Sequence, residues 1–197
     1  MTNDIKWSVD QAHSDIKFKV RHLLLSHVKG AFKTFDANVF TDGNDFTTAQ
    51  IDLWIDTAAI TTGDEKRDEY LRSVDFFDSP VHQQITFVSN KIIPTAIEGE
   101  YDLYGQLAIK SITLPVKLAV IFGGIFLDNR GKELASFTIT GKLNRSNWGL
   151  KSTSALDTGG IIAGDTIKIA CEVVLIKAGF TGIAATELYA EVQSKMI

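Results

Sequence analysis

Asp15-Ile16-Lys17-Phe18-Lys19-Val20-Arg21-His22 alternates without a fault. Ile16, Phe18 and Val20 fall on one side of an extended chain, and Asp15, Lys17, Lys19 and Arg21 on the other. The stretch is therefore a strand with one dry face and one wet face. The same period recurs on both sides of it. Residues 7–10 offer a short strand ahead of it. Residues 30–40 return to strand with Phe32, Phe35, Val39 and Phe40, and the change of parity among them predicts a bulge near Thr34 and Phe35. Asp42-Gly43-Asn44-Asp45 has the composition of a turn. In residues 49–56, Ile51, Leu53 and Ile55 alternate with Gln50, Asp52, Trp54 and Asp56.

Further strands are expected at 84–92, 98–109, 114–122, 133–144 and 166–176. Tyr101, Leu103, Leu107 and Ile109 share one face. So do Val116, Leu118, Val120 and Phe122, then Phe137, Ile139 and Leu143, and last Ile167, Ile169, Cys171, Val173 and Leu175. Lys110-Ser111 turns one pair of strands; Gly123-Gly124 with Asp128-Asn129-Arg130-Gly131 marks a loop, and Gly159-Gly160 another. Leu23-Leu24-Leu25 breaks the alternation as a short corner. Eight strands with hairpin-length links and a possible ninth at 7–10 predict an all-β fold. Its antiparallel sheet removes its edges by closing into an extended eight-stranded barrel, with a bore for packed side chains or one ligand.

One segment departs from the pattern. In Thr62-Gly-Asp-Glu-Lys-Arg67-Asp-Glu-Tyr-Leu-Arg72, Thr62 and Glu65 have the spacing of a capping box. Asp64 and Glu65 near the start and Arg72 at the end suit the helix dipole. Asp64 with Arg67, and Asp68 with Arg72, are spaced for ion pairs. Tyr70, Leu71 and Val74 form a thin apolar stripe that runs into Phe76-Phe77. A short helix over about 64–72 is expected near the barrel mouth.

The 197 residues suffice for one domain, and the formal net charge of -4 comes without a basic run, so nucleic acid is not an expected partner. No stretch approaches the roughly 18 apolar residues of a membrane span. The first residues lack the apolar core of a signal peptide, which predicts a cytoplasmic chain, or a periplasmic one if a leader has been removed. Cys171, alone of its kind, reads as a small buried hydrophobe rather than a catalytic thiol. The barrel is assigned to residues 1–177. In the tail, 178–197, Leu188, Val192 and Met196 recur every fourth residue, as in a terminal helix docking on the barrel or on another subunit; fraying is the alternative. A homodimer stays open.

Four ordered blocks carry a resemblance. Asp10-Gln-Ala-His13-Ser14 through His22, followed by Val28-Lys-Gly30-Ala-Phe32, is one. Thr62 to Asp78 is the second, Gly105 to Val116 the third, and Arg145-Ser-Asn-Trp148-Gly-Leu150 the fourth. Together they resemble the YceI-like family of lipocalin-type polyisoprenoid-binding proteins, over about residues 7–176. The last block has Asn147 and Trp148 where the family usually has Asp and Phe. The resemblance implies a barrel whose lumen takes a long isoprenoid chain, such as a polyprenyl pyrophosphate or an isoprenoid quinone, with its polar head near the mouth.

On that reading the lumen wall is Phe18, Val20, Phe32, Phe76, Phe77, Phe87, Leu103, Leu107, Phe137, Ile139 and Trp148. Residue by residue, ordinary core packing is the favoured reading of each, and only the resemblance turns a filled core into a tunnel. The head-group candidates are Arg67 and Arg145, whose planar forks suit a pyrophosphate, with His22, His27 and Asp75. Arg67 also suits a surface pair with Asp64, and Arg145 a buried pair with Asp75. Asp10, His13 and Ser14 invite a triad reading, but Ser14 opens a strand and lacks a strained nucleophile turn. His13, His22, His27 and His82 lack metal-ligand spacing. No cofactor is expected. The function expected is a non-catalytic carrier or sequestering protein for an isoprenoid or similar amphiphile. An enzyme acting on an apolar substrate, and a packed-core interaction module, are the alternatives.

Overall fold

The structure is a computed structural model that describes residues 4–22, 26–150 and 163–178. Its strands are β1 (Asp4–Val9), β2 (Asp15–His22), β3 (Ser26–Phe32), β4 (Phe35–Asp42), β5 (Asp45–Asp56), β6 (Ile60–Thr61), β7 (Gln84–Pro94), β8 (Glu100–Ile109), β9 (Ile112–Leu127), β10 (Glu133–Asn144) and β11 (Ala163–Lys177). Helix α1 (Glu65–Arg72) lies between β6 and β7. All pairings are antiparallel, in the order β1-β4-β5-β7-β8-β9-β10-β11, and β1 pairs with β11 to close a ring of eight. The fold is an all-β, lipocalin-like barrel.

Three of the eight walls are kinked double strands. Trp7–Val9 pairs with the last residues of β11, and β2 pairs farther back along the same strand. β1 and β2 are thus successive pieces of one long edge, interrupted at residues 10–14. β3 and β4 are related in the same way, as are β5 and β6. The short strand at 7–10 is real and closes the barrel. The irregularity expected near Thr34 is the break between β3 and β4. It lets Phe32 and Phe35 both face inward although three positions separate them.

Four expectations need correction. Gly123-Gly124 is no loop: β9 continues to Leu127, and the glycines form a bulge where Ser136 pairs with Gly124 and Phe137 with Phe122. A Cβ on Gly123 would lie 2.3 Å from the Ser136 hydroxyl, which would have to turn away to admit a side chain there. The cap of α1 is Asp64, whose carboxylate accepts from the Arg67 N–H at 3.2 Å. Thr62 is not the cap. Arg72 pairs with Glu65 at 2.9 Å rather than with Asp68, which is buried. Val74 is 71% exposed and leaves the apolar stripe. The corner at Leu23–Leu25, the Gly159-Gly160 turn and the tail beyond residue 178 lie outside the described residues.

The pairing stops between β6 and β7, and α1 packs beside β6 at that end. We term it the upper end. The lower end is filled by Trp7, fully buried, whose indole N–H donates to the Thr41 hydroxyl at 2.8 Å. Phe46 packs tilted against it at 5.0 Å and edge to face against Phe137 at 4.9 Å. Burying such rings removes the most apolar surface per residue in the chain, and their tilted packing adds to it.

Candidate functional site

Each strand turns alternate side chains inward, and the inward set leaves two chambers along the barrel axis. The upper, about 190 Å³, lies under α1 and the turn that follows it; the lower, about 180 Å³, ends at the aromatic plug. Ile16, Ile55, Leu107 and Ile169 line both and stand at the junction. The lower wall is hydrocarbon apart from Tyr101 and Cys171. Apolar cavities of this kind stay dry and accept apolar guests.

All eleven residues expected on the wall border one chamber or the other. Phe18, Val20, Phe32, Phe76, Phe77 and Trp148 face the upper, Phe87, Leu103, Phe137 and Ile139 the lower, and Leu107 both. The aromatic pair after α1 is held edge to face, with Phe76 and Phe77 at 5.0 Å and Phe77 and Phe32 at 6.1 Å. The Lys110 ammonium donates to the Phe76 carbonyl at 3.0 Å, which pins this turn to the β8–β9 hairpin. Trp148 turns its N–H to the Leu107 carbonyl at 3.1 Å, so its donor is used by the wall.

The head-group candidates are only partly assembled. Arg67 and Arg145 both line the upper chamber. Arg67 donates through Nε to the Thr62 hydroxyl at 2.7 Å and through Nη2 to the Thr62 carbonyl at 3.1 Å. Its Nη1 reaches Asp64 only at 3.9 Å, so the surface pair is the weaker of its contacts. The Thr62 hydroxyl in turn donates to the buried Asp68 carboxylate, which also accepts the Thr62 N–H at 2.8 Å. This network fixes the guanidinium at the chamber edge. His27 and Asp75 are exposed and border neither chamber, and His22 contributes the last residue of β2.

The triad reading does not survive the geometry. His13 Nδ1 sits 2.8 Å from Asp10 on the surface, while the Ser14 hydroxyl bridges the backbone of Val174, accepting its N–H at 2.9 Å. Burial alone would raise the Asp10 carboxyl, but the hydrogen bonds from His13 and the Ala12 N–H outweigh it and hold Asp10 below its ordinary value. Two contributors escaped the alternation. Phe46 is out of phase with Ala49 and Ile51 because the β4–β5 register shifts between Phe40 and Asp42. Thr62 looked like a cap, and no local signal marks it as a bridge between Arg67 and Asp68.

Residues 7–175 match the family described as "YceI-like domain". A UPF0312 protein of Staphylococcus epidermidis is 37% identical over 164 residues, 83% of this chain and 92% of the relative. Among solved structures, Burkholderia cenocepacia BcnA is similar with a TM-score of 0.72 and 26% identity, over 84% of this chain and 98% of BcnA. A polyisoprenoid binding domain from Saccharophagus degradans shares the fold with a TM-score of 0.66, over 87% of this chain and 98% of that one, at 12% identity. Among the described residues no helix is long and apolar enough to cross a membrane.

Proposed function

The chain belongs to the YceI-like family, and from that membership we propose that it binds a long-chain isoprenoid lipid, a polyprenyl pyrophosphate or an isoprenoid quinone, as a non-catalytic carrier or sequestering protein. The observation that carries this reading is the pair of apolar chambers meeting at Leu107 inside one closed barrel. A tail lying through both would leave water along its whole length. Each buried CH₂ contributes about 0.8 kcal/mol, so several isoprene units bind without a hydrogen bond. The plug at Trp7 and Phe46 gives the site a direction: the tail points to the lower end and the polar head to Arg67 and Arg145. The fold shared with a polyisoprenoid binding domain supports the same ligand class.

Organic extraction of the purified protein, followed by mass spectrometry, tests the reading. The expected result is one isoprenoid per barrel, or stoichiometric uptake when a polyprenyl pyrophosphate or long-tailed quinone is added to stripped protein. A stable barrel that carries none and takes up none would overturn it.

A further inference from the structure

Four lysines far apart in the sequence meet on the outside of the barrel. Lys142 of β10 pairs with Lys168 of β11, Lys168 pairs with Lys19 of β2, and Lys19 pairs with Lys29 of β3. All four are exposed. Adjacent strands lie about 4.8 Å apart, so the row crosses four strands within roughly 15 Å. Like charges directly opposite one another destabilise a sheet, and here three such pairs stand side by side. Among the described residues none of the four lysines has a carboxylate partner.

The neighbours do not neutralise the row. On one side the outward residues are Thr140, Ala170, Lys17 and Ala31; on the other they are Asn144, Thr166, Arg21 and His27. None of the nearest acids forms an ion pair with the row: Asp15 pairs with Lys17, Glu172 accepts from the Thr138 hydroxyl, and Asp165 accepts from Ser146. β5 lies across the ring from β10 and, with β4, carries the exposed Asp36 and the half-buried Asp52. A chain of net charge -4 thus gathers cations on one wall, beside the upper end, where Lys19 is three residues from the end of β2.

We infer that this wall, β10-β11-β2-β3, docks on an anionic bilayer, with the Lys142–Lys168–Lys19–Lys29 row on the lipid phosphates. The row repeats at strand spacing round one side of the barrel and leaves the upper mouth next to the surface. A sheet of headgroup phosphates matches those features, and it supplies the counter-charge that the lysine row lacks. The preference for a bilayer over an acidic protein rests on the lipid reading of the bore.

The test is sedimentation of the full chain with vesicles of phosphatidylcholine alone and with one-third phosphatidylglycerol. Wild type is expected on the anionic vesicles only, with binding that falls as salt rises. A surface lysine contributes about fivefold to such binding, so Lys19→Ala/Lys168→Ala should lose about 25-fold. Lys91→Ala/Lys132→Ala, which removes the same charge elsewhere, should lose little. The inference is overturned if wild type does not distinguish the two vesicles, if the control pair loses as much, or if polyglutamate is bound in preference to the vesicles. Lys168→Glu guards against misfolding, since it places an acid between two lysines: it should bind vesicles less while melting no lower than wild type, and a lower melting point with unchanged binding would count against the row. Vesicle binding by a barrel that extracts empty would sink the bore reading and leave docking intact; a loaded barrel that ignores vesicles would do the reverse.

Discussion

Cys171 stands in the wall of the lower chamber, where burial pushes its thiol up to about 12 from an ordinary 9.0. The thiolate is the nucleophile, so at pH 8 the native protein should react with Ellman's reagent far more slowly than the protein in denaturant. Prompt native reaction would mean that the chamber is wet. The same shift sets a pH dependence. Below pH 9 both folded and unfolded chains keep the thiol proton and stability is unaffected by it. Above that value the unfolded chain releases the proton and the folded chain does not. This contribution falls by at most about 1.4 kcal/mol per pH unit as pH rises toward the folded value. Urea titrations between pH 9 and 10.5 should therefore show a shallower loss for Cys171→Ala than for wild type; parallel curves would contradict the burial. The position of Cys171 was legible, because it shares the parity of Ile169 and Val173. The role of Thr62 was not, because one hydroxyl serves a cap or a bridge equally well until Asp68 is known to be buried.

At the scale of the strand, the register depends on close approaches that only glycine permits. A Cβ on Gly105 of β8 would lie 2.4 Å from the Phe87 ring and 2.5 Å from the Val88 carbonyl. The ring can turn; the carbonyl belongs to β7 and cannot. Gly105→Ala should cost about 1–3 kcal/mol by overpacking and drive Phe87 into the lower chamber, read as a lower urea midpoint together with weaker uptake of an added long-tailed isoprenoid. Unchanged stability would show that β7 and β8 are more loosely paired than described. The strand interiors could be read from sequence because each has a wet face, so alternation marks the dry one. Ile51, Leu53 and Ile55 are an example, and all three border the lower chamber. Bulges leave no such mark: Gly123-Gly124 has the composition of a loop, and only pairing with Ser136 and Phe137 makes it part of β9. The break at residues 33–34 did show, since Phe32 and Phe35 differ in parity and both are large.

At the scale of the whole molecule, closure produces what no single strand contains. β1 meets β11 across almost the full length of the chain, and that one seam turns a sheet into a container. It also sorts charge, because the lysines at 19, 29, 142 and 168 form a row only once β10, β11, β2 and β3 are neighbours. Sequence spacing could not show this, as each lysine is an ordinary outward residue of its own strand. The resemblance anticipated the closed barrel, and alternation anticipated the strands that build it. Whether a wall encloses a packed core or a hollow depends on how large side chains share the bore, above all at Ile16, Ile55, Leu107 and Ile169, which border both chambers. The most direct measurement is a diffraction map of the protein saturated with a long-tailed isoprenoid. The account predicts a tube of density that starts near Arg67 and Arg145, passes Leu107 and ends against Phe46 and Trp7. Density confined to the outer surface, or a bore closed by side chains at Leu107, would contradict it.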